Sequence, residues 1–282
     1  MTAGGPTFAL ALGGGGARGL AHIHVIETLD ELGIVPVAIA GSSIGAIMGA
    51  GMAAGMSGLD LHHYAKSILG RRGEVASRIW KSRPGSFREA VAGGLRLGQF
   101  DIERILKAFL PEALPATFEE LRIPLKVTGT DFFGHALTVM ETGDLVSALA
   151  ASAAIPAVFK PVTRDGRLLI DGGFYNPVPF DLLEGAADVV IAIDVVGAPE
   201  PMKGRTVPNT VDLMFGSSQL MMQSIIEMKL ASHAPEIMLR PPVSRFRVLD
   251  FLKVDAVLAQ TAGIRDELKR AIDAAVERRR GA

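Results

Sequence analysis

Two glycine turns decide how this chain is read: residues 8–19, FALALGGGGARG, and residues 35–54, VPVAIAGSSIGAIMGAGMAA. In the first, the short apolar run Phe8 to Leu12 predicts a buried strand that opens into a loop at residues 13–16. Residues 20–32 then read as a helix with Val25, Leu29 and Leu32 along one face, closed by Gly33. In the second, residues 35–40 predict another buried strand, and residues 44–54 have the composition of a helix packed on all sides. This βαβα order implies a parallel sheet with helices against its faces.

The same reading extends outward. Charged residues return between 60 and 121, where Asp101 is a good N-cap for a helix over residues 102–110 that Pro111 ends; this stretch reads as an insertion or cap over the sheet. Residues 125–131 and 136–141 predict strands joined around Gly134. Asp144 caps a helix predicted to reach Ala154, before Ile155 and Pro156. Residues 167–170 form a strand ending at Asp171, Gly172 and Gly173, and residues 189–196 are one more buried strand. After a polar loop at residues 199–208 come a helix near residues 211–231, a short strand at 237–239 and a C-terminal helix from about Asp255. No composition shift marks a domain boundary. The expectation is one domain over residues 1–282, with a core at 8–196, a cap within about 60–121 and a helical extension at 199–282.

Composition narrows the function. The chain has 282 residues, no cysteine and a formal net charge of -1. Disulfides, thiolate nucleophiles and Cys-rich zinc sites are excluded together, and no metal-ligand spacing is present. The near-neutral charge argues against a nucleic-acid partner. No signal peptide is legible at the N-terminus, so a cytoplasmic location is expected. Residues between Glu31 and Asp60 carry no charge over a length that can span a bilayer. They are mostly Gly and Ala, interrupted by Pro36, and fit a buried strand, turn and helix better.

Residues 41–45, GSSIG, are a G-x-S-x-G motif between a predicted strand and a predicted helix. Small residues at Gly41 and Gly45 permit a sharp turn that exposes Ser43, and the helix N-terminus behind it favours an oxyanion. The run Gly14, Gly15, Gly16 to Gly19 also leaves a strand and enters a helix. Its amides suit either the phosphate of a dinucleotide or the oxyanion of a tetrahedral intermediate. The dinucleotide reading wants an acid at the end of the second strand, where Gly41 and Ser42 stand instead. Arg18 either adds charge to this loop or is a solvated helix-start arginine. None of the six histidines sits where a base for Ser43 is expected; each reads as structural. Asp171, at a strand end in a Gly–Gly turn, is either a proton acceptor or the cap of its own turn.

Four motifs in this order resemble the patatin-like phospholipases, in particular their bacterial cytoplasmic members: the glycine-rich loop ending at Gly19, the GSSIG elbow, residues 151–156 (ASAAIP), and Asp171, Gly172 and Gly173. The similarity runs from about Phe8 to Val196. It implies a three-layer α/β/α fold around a mainly parallel sheet. It also implies a serine acyl hydrolase acting on lipid esters with no metal or cofactor. By that resemblance Ser43 is the nucleophile, Asp171 the proton acceptor without a histidine, and Gly14, Gly15 and Gly16 the oxyanion donors. Two other functions stay open: an acyl-lipid binder without catalysis, and a nucleotide-binding domain. Residues 80–100, with Trp80 and Phe87, are a candidate for peripheral membrane contact; the basic tail, residues 278–280, is a second candidate but reads better as a solvated charged surface.

Overall fold

The computed structural model describes residues 5–69, 100–201 and 207–280. Eight strands form one sheet. They are β1 (Phe8–Leu12), β2 (Ala38–Ser42), β3 (Leu125–Asp131), β4 (Ala136–Met140), β5 (Val162–Arg164), β6 (Arg167–Asp171), β7 (Val189–Ile193) and β8 (Ile237–Leu239). The described helices, numbered in chain order, are α1 (His22–Glu31), α2 (Ile44–Ala53), α3 (Gly58–Leu69), α4 (Ile102–Phe109), α5 (Leu145–Ser152), α6 (Thr210–Ser232), α7 (Val254–Thr261) and α8 (Ile264–Arg280). β3, β2, β1, β7 and β8 run parallel; β4 and β6 join β3 antiparallel, and β5 closes a hairpin with β6.

The sheet separates two unequal cores, as strand alternation requires. Phe8, Leu10 and Leu12 of β1 face the larger one, together with residues from α1, α2, α5, α7 and α8. Ala9 and Ala11 face the smaller one, where the 3-10 segment Phe180–Leu183 and Ile226 of α6 cover the sheet. Small side chains on that face let the thin covering layer approach closely.

Several boundaries differ from the sequence expectation. The second strand begins at Ala38 and continues to Ser42, because Pro36 cannot donate to a ladder and Val35 and Val37 remain exposed. The first helix is a 3-10 segment, Gly16–Ala21, that passes into α1. α5 stops at Ser152 rather than Ala154, with Asp144 capping it through Ser147 N (2.6 Å). β5 is only three residues long and lacked a periodic signal. Asp101 does cap α4, accepting from Arg104 N at 3.1 Å. Of the expected cap, α3 and α4 are described. Trp80 and Phe87 lie outside the described residues. No helix among the described residues is long and apolar enough to cross a membrane.

Candidate active site

The site lies at the carboxyl ends of β1 and β2. Leu12 pairs with Gly41, so the two glycine turns leave the sheet side by side. Ser43 takes φ 52°, an uncommon value for a residue with a side chain, and α2 starts at the next residue. Gly45 is obligatory here, since a Cβ would overlap the Leu12 carbonyl oxygen. Gly41 packs in the same way on the backbone of Ala46. The elbow therefore holds Ser43 in one strained conformation, with its side chain at the mouth of two cavities.

Register brings Asp171 to it. β3 pairs with β2 up to Ser42 opposite Thr128 and with β6 from Gly129 opposite Asp171. Because β4 occupies the other edge of β3 across residues 127–131, β2 and β6 share one edge and meet end to end. Asp171 thus arrives beside Ser43. Ser43 Oγ donates to Asp171 Oδ2 at 2.6 Å, and Gly173 N donates to Asp171 Oδ1 at 2.8 Å. One carboxylate oxygen thus caps the turn and the other accepts the Ser43 hydroxyl. Asp171 is 4% exposed. Burial lifts its pKa from an ordinary 3.8 to about 6, although the hydrogen bonds from Ser43 and Gly173 pull it down. With that pKa it is mostly ionised at neutral pH.

The glycine loop divides its labour. Gly14 N donates to the Pro177 carbonyl (2.9 Å), so Gly14 fixes the loop instead of presenting a donor. Gly15 and Gly16 keep amides for which no acceptor stands among the described residues. Gly16 requires glycine, at φ 59° and with its α-carbon against the Val248 carbonyl. Gly19 is packed on Ile44, and Gly172 on the Thr128 backbone. The Ile44 amide, first in α2, also lacks an intrahelical acceptor. Amides of Gly15, Gly16 and Ile44 can together receive negative charge beside Ser43.

Arg18 is neither solvated nor turned towards Ser43 as a free charge. It is 3% exposed, donates from Nε to Phe246 O (2.8 Å) and from Nη1 to Val196 O, and ties the loop to the segments after β7 and β8. Burial lowers its pKa to about 10, which leaves it protonated. None of the six histidines bonds Ser43 or Asp171. His22 is fully buried and its Nε2 donates to the Gly13 carbonyl (2.9 Å), anchoring the glycine loop from below; burial takes its pKa down to about 4. Among the described residues no set of three His, Cys, Asp or Glu side chains is placed to share a metal ion.

Ser152 carries a function that motif reading alone did not assign. Its Oγ accepts from Ser43 N at 2.8 Å and is fully buried. A hydroxyl at the end of an alanine-rich helix was the available clue, because a buried polar group needs a partner. Ser152→Ala would leave the strained elbow amide unpaired. We expect it to lower stability by about 1–3 kcal/mol, read as a lower Tm, and to reduce kcat with little change in KM.

Two cavities meet at Ser43. One, of about 400 Å³, is walled almost wholly by apolar side chains of α2, α3 and α4, including Met48, Leu61, Ala65, Leu106 and Phe109. The other, of about 50 Å³, holds Asp171, Gly14, Gly15, Gly16 and Arg18, and is bordered on one side by Phe215, Gln219 and Met222 of α6. An ester carbonyl at the junction would put an apolar chain on one side and its alcohol on the other.

Comparison with known proteins finds several relatives. An uncharacterised NTE family protein of Mycobacterium tuberculosis is 41% identical over 194 residues, covering 68% of this chain and 50% of that protein. Human patatin-like phospholipase domain-containing protein 6 is 28% identical over 90% of this chain and 19% of its own length. Lysophospholipase NTE1 of Meyerozyma guilliermondii is 26% identical over 92% of this chain and 19% of its own. The chain thus spans half or less of the length of these relatives. Among solved structures, VipD of Legionella pneumophila aligns over 93% of this chain and 67% of its own, at a TM-score of 0.43 and 14% identity. The family model described as patatin-like phospholipase matches residues 10–184, which include the glycine loop, the serine elbow, Ser152 and Asp171, and the chain belongs to that family.

Proposed function

We propose that this protein hydrolyses acyl esters of lipids through a Ser43–Asp171 dyad and an acyl-serine intermediate. The observation that carries the reading is the 2.6 Å hydrogen bond to a buried Asp171 from Ser43 Oγ, a residue that also lines an apolar cavity. In the first step Asp171 takes the Ser43 proton as Oγ bonds to the ester carbonyl carbon. The oxyanion is received by the Gly15, Gly16 and Ile44 amides. The carbonyl re-forms, the C–O bond to the alcohol breaks, and Asp171 returns the proton to the leaving oxygen. Water, deprotonated by Asp171, then attacks the acyl-serine; the fatty acid leaves and Ser43 Oγ regains a proton. Arg18 and His22 act at a distance, by holding the loop.

The apolar cavity supports a fatty acyl chain as the acid half of the substrate. Ala65 lines it and is buried. Ala65→Phe would fill the chamber, so we expect kcat/KM for a decanoyl p-nitrophenyl ester to fall about tenfold relative to the butyryl ester. Equal losses on both esters would move the acyl chain elsewhere. The reading as a whole is tested by covalent labelling: a fluorophosphonate probe should add one adduct to the intact protein, mapped by mass spectrometry to Ser43. Absence of an adduct on folded protein would overturn it.

A further inference from the structure

α6 has two unlike faces. Phe215, Gln219 and Met222 border the cleft beside Ser43 and Asp171, and Gln219 Nε2 donates to Val196 O at 3.0 Å. On the other side Leu213, Met214, Leu220, Met221 and Met228 are 52%, 45%, 59%, 58% and 62% exposed. With Ser217 and Ser224, which are also exposed, they recur at spacings of three and four and form one stripe along the helix. From Leu213 to Ile226 there is no charged residue. A solvated helix face ordinarily carries charges, and a contiguous apolar one marks an interaction surface. A groove beside this stripe is lined by Leu137, Tyr175, Ile225 and Met228 and also by the Asp181–Lys229 ion pair, and Leu137 follows the β3–β4 turn in sequence. There Phe132 and Phe133, in an edge-to-face pair, are 51% and 73% exposed.

We propose that the outer stripe of α6, together with the Phe132 and Phe133 turn, is the surface by which this protein docks on a zwitterionic phospholipid bilayer. The choice of occupant rests on the lipid-hydrolase reading and on three further observations. First, the Leu and Met side chains of the stripe carry no charge and the flanking Glu227 and Lys229 are paired with Arg240 and Asp181, in a protein of net charge -1, which is complementary to a net-neutral surface and not to a strongly anionic one. Second, five half-exposed Leu and Met side chains offer on the order of 500 Å², short of the roughly 800 Å² per partner that a stable protein interface buries. Long, flexible apolar chains can instead enter an interfacial layer that needs no fixed shape. Third, the docking helix is also a wall of the catalytic cleft, so a bilayer against its outer face would lie beside the opening that its lipids must enter. The basic tail at residues 278–280 is not needed for this contact.

The test is flotation of the full Ser43→Ala chain with phosphatidylcholine vesicles, which leaves the lipid unhydrolysed. The protein should rise with the vesicles, and equally at low and high salt, because no charge pair is screened. Leu220→Glu with Met221→Glu should reduce the vesicle partition coefficient at least about tenfold, and Phe133→Ser should reduce it independently. In the Ser43 background these changes should leave hydrolysis of a soluble butyryl ester intact, which also reports that the fold survives. Failure of Ser43→Ala to float would overturn the proposal. So would binding that needs anionic lipid and disappears in high salt, or a dimer in light scattering that the Glu pair converts to monomer. Flotation with no esterase activity in the Ser43 protein would leave the docking surface standing and remove the hydrolase reading instead.

Discussion

Ser43→Ala is expected to lower kcat/KM for p-nitrophenyl acyl esters by about 10⁴-fold or more, because no acyl-enzyme can form without Oγ. The protein should remain folded. Its elbow is fixed by the Gly41 and Gly45 contacts and by the Ser152 acceptor, none of which uses the Ser43 hydroxyl. A companion substitution separates chemistry from strain. Ser43 sits at φ 52°, and glycine tolerates that region where alanine does not. Ser43→Gly should therefore be as inactive as Ser43→Ala yet more stable by about 1 kcal/mol, read as a higher Tm. A fall in activity of less than tenfold in either variant would take Ser43 out of the nucleophile's role.

Asp171→Asn carries the second large effect. The amide oxygen can still accept from Gly173 N, so the turn persists, but the group facing Ser43 Oγ can no longer take a proton. A loss of about 10²–10⁴ in kcat is expected. In the wild-type protein the same carboxylate is expected to set the pH profile: with its pKa raised to about 6, kcat/KM should rise with pH through that value and level off above it. Stability runs the other way. The folded protein holds the Asp171 proton more tightly than the unfolded chain does, so its contribution is complete below about pH 3.8 and is lost as pH rises through about 6. Above pH 6 the buried carboxylate opposes folding by about 3 kcal/mol, and Asp171→Asn is free of that cost. The variant should melt higher than wild type at pH 7, with the gap closing towards pH 4, as measured by calorimetry across that range. A variant less stable than wild type at neutral pH would mean that the carboxylate is held by more than Ser43 and Gly173.

The two effects together describe a site kept at the expense of stability. A strained serine, a desolvated carboxylate and the acceptor-free amides of Gly15 and Gly16 line one small cavity. Rigid surroundings maintain them: the register of β3, the buried His22 under the glycine loop, and Arg18 bridging to the carbonyls of Val196 and Phe246.

Local chemistry made much of this legible in the order of residues. Strands of apolar, β-branched residues ending in glycine, caps such as Asp101 and Asp144, and the G-x-S-x-G turn report on interactions between near neighbours in the chain. Such features locate Ser43, the glycine loop and Asp171, and motif order ties them to one family. Only the tertiary structure decided which groups meet. The hydrogen bond between Ser43 and Asp171 joins residues 128 positions apart and exists because β2 and β6 abut along one edge of β3. The binding of Gly14 N by Pro177, the burial of Arg18, and the acceptor role of Ser152 likewise depend on distant backbone, which local pattern does not encode. Pattern specifies where a chain turns and which residues it hides; long-range register specifies which hidden polar groups become partners.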